Sequence, residues 1–201
     1  MLDFLISYYV NFKKIINFNN HNKKNFKQNF KKTNNVIFVE AAPDCSNHIA
    51  YGYITNALAK KYKARIIPLK ITMSESIFRN FLTQKLSFFN LFYFNTYKSF
   101  NSEKAVIIKA KNKNDTKIHF KSKNELLKFK FNGILVGDLI YDSYLRYNFK
   151  NTLNLNDQEF INFTNKSINF FENCLKLFQK YKVKSVIMSH AVYLPAFLGR
   201  V

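Results

Sequence analysis

Glycine, proline and tryptophan are nearly missing from this chain, at 4, 3 and 0 of 201 residues. With so little glycine, neither GxGxxG nor GxxxxGK[ST] occurs, and a dinucleotide-fold or P-loop assignment fails on the residues. Cysteine is scarce too: Cys45 and Cys174 lie far apart and match no metal spacing, which fits a reduced cytosolic compartment. No apolar run reaches the roughly 18 residues needed to span a bilayer. The N-terminal "MLDFLISYYVNFKKIINF" puts its apolar part before its lysines and has no small-residue cleavage site, unlike a secretory signal. Acidic residues number 12 against 32 basic ones, a formal net charge of +20.

What remains is rich in Lys, Asn, Ile and Phe. A hydrophobic content of 47% with 23 phenylalanines excludes a mainly disordered chain. The length suits one domain with a proper core, or one domain plus an appendage. The bias is the one an AT-rich genome imposes through its codons, so most of the charge reads as background, with attraction to acidic surfaces as the other reading.

Residues 1–35 read as the appendage. Leu2, Leu5, Ile6, Tyr9, Phe12, Ile15 and Ile16 recur at helical spacing, and "NNHNKKNFKQNFKKTNN" follows as a basic, Asn-rich linker. Such a helix lies on an anionic membrane surface or packs on the domain. From Val36 apolar runs alternate with helical periods. "NVIFVEAA", "ARIIPLKI", "KAVIIKA", "GILVG" and "VKSVIMSH" read as five strands, the second ending or lying at an edge near Pro68. Helices are expected over 46–62, 74 onward, 123–129, 138–147 and 156–181, the last with Asn156 and Glu159 as a capping box. The fold expected is α/β, a Rossmann-like three-layer sandwich over 36–201 with a mainly parallel sheet of about five strands.

Ligands in such sheets bind beyond the carboxyl ends of the strands, where "EAAPDCSNH", "IIPLK", "GDLIYD" and "MSHAVY" fall. Asp44 or Ser46 would cap the helix after strand one, leaving N–H groups for an anion or sugar hydroxyl. His48 is either a helix-start histidine bonded to backbone or a ligand or base. Gly52 within this helix suits close packing. Ser189 and His190 end strand five, and as neighbours on a strand they are not a catalytic pair. In "GILVGDLIYDSYLR", Asp138 sits where an N-cap would, and Asp142 and Arg146 stand at i and i+4, the order of a helix ion pair. Gly133 and Gly137 suggest close backbone approach. The aromatic "FFNLFYFNTYKSF" is not interleaved with basic residues, so nucleic acid is not the expected partner.

"GILVGDLIYDSYLR", "LFYFNTYKSF" and "VKSVIMSHAVYLPAFLGRV" together resemble bacterial surface-carbohydrate and capsular-polysaccharide biosynthesis proteins, which look like GT-B glycosyltransferases. The resemblance implies an N-terminal, acceptor-side domain, with the donor-binding half lying beyond a chain that stops 11 residues after its fifth strand. It further implies transfer of a sugar from a nucleotide-sugar co-substrate, without a bound metal or cofactor, to a glycan or lipid-linked acceptor. The work would be done in the cytoplasm or at the inner face of the cytoplasmic membrane. Asp138, Asp142 and His190 are then the catalytic candidates. Asp44, Ser46, His48, Gly137, Arg146, Ser189 and Tyr193 are the substrate-binding ones. A non-catalytic Rossmann-like ligand-binding module is the alternative, and a basic nucleic-acid-binding protein the more distant one.

Overall fold

Four consecutive apolar residues, Val36 to Val39, can be buried together only in a strand covered on both faces. In the computed structural model they are the buried centre of β1 (Asn35–Glu40). The structure describes residues 2–26, 30, 32–40, 45–72, 100–110, 118–189 and 191–201, with 2–12, 15, 45–49 and 72 described by backbone alone. The aromatic connection over 74–100, apart from Phe100, and the Lys-rich 111–117 lie outside these residues.

β2 (Arg65–Thr72) and β6 (Lys182–Ile187) pair parallel with β1 on its two sides. With β3 (Val106–Lys109) they form a four-stranded sheet in the order β3-β2-β1-β6. The class is therefore α/β, with a Rossmann-like parallel sheet flanked by helices. Pro68 is a correction: it lies within an inner strand, opposite Val39. Ile66, two residues earlier, turns its carbonyl away from β1 to accept from Glu103 N at 2.8 Å. Pro68 therefore turns its donorless nitrogen to that same side, and the β1–β2 ladder loses nothing.

By its contacts the chain falls into two compact units, Met1–Lys70 with Ser76–Val106 and Lys182–Ile187, and Ile71–Glu75 with Ile107–Tyr181 and Met188–Val201. In the first, α1 (Leu2–Asn25) precedes β1, and α2 (Cys45–Tyr62) packs on β1 and β6. Ile37, Val39, Tyr51, Ala59, Ala64, Ile66 and Phe100 form the core. Gly52 admits Phe100: a Cβ there would stand 2.3 Å from its ring, so the close packing expected of this glycine is against an aromatic ring. α1 continues through the Asn-rich stretch expected to be linker. Phe18 and Phe26 meet the ring of Phe100 edge-on at 5.7 and 6.1 Å, and this packing holds the polar last turns helical.

The second unit holds α3 (Lys123–Leu127), a hairpin of β4 (Lys130–Phe131) and β5 (Ile134–Leu135), α4 (Gly137–Asn148), α5 (Gln158–Lys180) and a 3-10 turn over Leu194–Gly199. Here "GILVG" departs from expectation: it supplies an antiparallel hairpin partner and not a fifth parallel strand. Asn132 and Gly133, at φ 49° and 82°, form its two-residue turn. α5 is capped one residue later than expected, by Asp157, whose Oδ1 accepts from Glu159 N at 3.0 Å. Asn156 is instead tied to Asn154 Oδ1 in the preceding turn. The apolar face of α5 buries Phe160, Ile168, Phe170 and Phe171, and Phe171 stacks on Phe197 at 4.4 Å.

Candidate functional site

In a parallel sheet all carboxyl ends reach one edge, and a crevice opens where successive connections leave in opposite directions. Here the chain steps from β1 outward to β2 and β3, then returns on the other side of β1 as β6. The switch point lies between β1 and β6, where Val39 stands opposite Ile187. Glu40 ends β1 at that edge, a half-buried carboxylate that the sequence reading did not single out. Its signal was an acid set within the apolar run "NVIFVEAA". α2 begins at Cys45 with no acid in its first turn, and that turn holds Ser46 and His48. Asp44 lies outside the described residues.

The other candidates belong to the second unit, on α4 and the stretch after β6. Gly137 opens α4, with Val136 at its N-cap and no side-chain cap. Asp138 is thus not the cap; it lies one residue inside the helix. Arg200 grips its carboxylate with both arms, Nη1 to Oδ1 at 2.8 Å and Nη2 to Oδ2 at 2.7 Å, and Nη1 also donates to the Leu135 carbonyl. This pairing holds the Asp138 carboxyl below its usual range, against the opposing effect of burial; the N–H groups of Leu139 and of Asp138 itself add to the lowering. The expected Asp142–Arg146 pair does not form: both side chains are exposed, and no ion pair among the described residues joins them.

One turn along α4, Ser143 Oγ accepts from Leu194 N at 2.8 Å. The ring of Tyr147 meets that of Tyr193 at 6.3 Å. Tyr193 itself has φ 61° and ψ −175°, a region nearly reserved for glycine, at a cost of about 1–3 kcal/mol. Three contacts spaced along α4 therefore hold the 193–200 stretch against it. Ser189 is half-buried in the same unit, and His190 lies outside the described residues.

A second polar cluster went unforeseen. Lys150 Nζ donates to Glu159 Oε2 at 2.5 Å, to Tyr144 Oη at 3.0 Å and to Asp157 Oδ2 at 3.2 Å. The Glu159 carboxylate, then Tyr144 and Asp157, push the Lys150 ammonium up. Burial, ahead of the charges around it, pushes the Tyr144 phenol up. Lys150 thus links Tyr144, Asp157 and Glu159, and the cluster fastens the α4–α5 connection. Among the described residues no group of three His, Cys, Asp or Glu could hold a metal ion, and no helix is long and apolar enough to cross a membrane.

Fold and geometry define an α/β protein with a Rossmann-type switch point between β1 and β6 and a second unit in which α4 clasps the 193–200 stretch. Comparison with protein-family models, with curated proteins and with solved structures finds no match.

Proposed function

We propose that this chain is the acceptor-side domain of a glycosyltransferase of bacterial surface-polysaccharide assembly. It would move a sugar from a nucleotide-activated donor to a glycan or lipid-linked acceptor. One juxtaposition carries the reading: two stretches resembling surface-carbohydrate proteins, Gly133–Arg146 and the run ending at Val201, lie together through Asp138–Arg200 and Ser143–Leu194. The strained Tyr193 sits in that contact, and strain of this kind persists where the surroundings over-determine it, often at ligand sites.

An acceptor hydroxyl must lose its proton as the sugar–phosphate bond breaks, and a carboxylate or imidazole takes it. Asp138 is ill suited, because Arg200 occupies both of its oxygens and lowers its proton affinity. The role falls to Asp142, exposed on the next turn of the same face, with His190 as the other candidate. The donor is a co-substrate and no resident cofactor is invoked. The site of action is the cytoplasm, at the inner face of the cytoplasmic membrane, with α1 lying on the headgroups.

The test measures binding of extracted lipid-linked glycan acceptors to the purified protein by calorimetry, and label transfer from radiolabelled nucleotide sugars once the donor-binding half is supplied. Asp142→Asn is expected to lower kcat about 10²–10⁴-fold at unchanged melting temperature. No binding of any glycan or lipid-linked acceptor by calorimetry sinks the reading. A non-catalytic ligand-binding module is the second reading, favoured by the saturation of Asp138 by Arg200. It predicts ligand binding with no transfer even when the donor-binding half is supplied, and no change in Asp142→Asn.

A further inference from the structure

Along α2, Ala50, Tyr53, Ile54 and Ala57 stand at i, i+3, i+4 and i+7, the spacing of one helix face. All four are exposed, Tyr53 and Ile54 each at 48%. Polar Thr55 and Asn56, between them, are buried. Thr55 Oγ1 donates to the Gly52 carbonyl at 3.1 Å, and Asn56 Nδ2 to the Gly52 and Phe100 carbonyls at 2.8 and 3.2 Å. The helix therefore buries Thr55 and Asn56 beside the core residues Tyr51 and Ala59, and turns a second, apolar stripe outward.

The stripe runs into Lys60 and Lys61, both exposed. Tyr53 joins it to α1: its hydroxyl lies 3.3 Å from His21 Nε2, on the α1 face that also exposes Lys14, Asn17 and Lys24. α2 contains no acid, and Asp3 is the one acid of α1. An apolar stripe rimmed by lysines, on helices unable to span a bilayer, complements a surface that is anionic outside and apolar just beneath. We infer that this face of α2, with the adjoining α1 lysines, docks on anionic phospholipid, the side chains of Tyr53 and Ile54 entering the boundary between headgroups and acyl chains. Single-stranded nucleic acid fits less well, since Ala50, Ile54 and Ala57 offer no ring on which bases stack.

The inference extends to α2 the membrane contact proposed for α1 and rests on that reading, but vesicles without sugar or nucleotide test it apart from any transferase activity. The whole chain is sedimented with vesicles of phosphatidylcholine alone and of phosphatidylcholine with phosphatidylglycerol. Binding is expected only with the anionic vesicles and should weaken with added salt. Ile54→Asp and Ile54→Ser should weaken it, the former roughly tenfold, and Lys60→Glu with Lys61→Glu should do so comparably. Lys128→Glu, an exposed lysine of the second unit, should leave it unchanged. Melting curves establish that each variant is folded. If Ile16→Asp on α1 abolishes binding while both Ile54 variants keep it, the α1 contact stands and this inference fails. It fails equally if a single-stranded oligonucleotide is bound more tightly than the vesicles and with the same dependence on Lys60 and Lys61.

Discussion

A methyl group on Gly137 would stand 1.6 Å from the Leu126 carbonyl oxygen, too close for any real contact. The expected close backbone approach is thus real here, while Gly133 serves the hairpin turn with open space around it. Gly137→Ala must push α4 off α3, at an expected cost of about 2–4 kcal/mol in a urea titration; a loss under about 0.5 kcal/mol would show that the two helices yield easily. At Asp138 the native carboxyl pKa is depressed. Its contribution to stability is therefore present above the unfolded pKa, near 3.9, and is lost as pH falls through the lower folded value. Both partners are about one-third exposed, so solvent screening keeps the contribution at neutral pH to roughly 1 kcal/mol or less. Asp138→Asn should be less stable than the parent at pH 7 and should close that gap in acid below about pH 4. An equal gap at both pH values would mean that the Arg200 pairing is not its source. Local spacing pointed to Arg146 as the counter-ion for this helix, but the partner that forms is 62 residues away from Asp138. Nothing in the local sequence marks such a pair, because it exists only once the 193–200 stretch has docked.

Helix ends and turns were more legible than ion pairs. Asn132-Gly133 is the dipeptide that favours a two-residue hairpin, and it stood in the sequence beside the apolar run that was read as a sheet strand. Periodicity could not separate Ile134, Leu135 and Val136 as a buried strand from the same residues as a hairpin arm, and the turn residues decided it. The long amphipathic α5 is legible because Phe160, Phe163, Ile168, Phe171, Leu175 and Phe178 repeat along it, although its cap is Asp157 and not Asn156. The end of α4 is unusual: Phe149 takes the left-handed conformation, φ 52°, that glycine ordinarily supplies after a helix, and its ring is 91% exposed. Phe149→Gly removes backbone strain and sacrifices almost no burial. It should stabilise the protein by about 0.5–1 kcal/mol, read as a higher urea midpoint at unchanged slope. A fall in midpoint would mean that the Phe149 ring makes a contact in solution that the structure does not contain.

For the molecule as a whole, β1 and β2 were visible as apolar runs, since strands buried on both faces need no alternation, and the half-buried edge strand β6 was visible from its Val-Ile end. Their order was less visible: that β6 lies beside β1, creating the switch point, is set by which edge the chain returns to, and no run of residues encodes that choice. Charge is the other global property. A chain of net charge +20 repels itself in the compact state, whatever genomic bias put the lysines there. Sodium chloride tests how much that repulsion matters. Between about 0.01 and 0.15 M the screening length shrinks from roughly 30 to 8 Å, which removes repulsion between distant lysines while close ion pairs such as Arg65–Glu103 at 3.0 Å are weakened less. The melting temperature should therefore rise with salt, by about 2–4 °C for each kcal/mol of repulsion relieved. Exposed lysines on the basic helices should share in the effect, so Lys23→Gln combined with Lys60→Gln should raise the low-salt melting point and flatten its salt dependence. A melting temperature that falls as salt is added would reverse the argument: short-range pairs such as Asp138–Arg200 would then outweigh the excess positive charge.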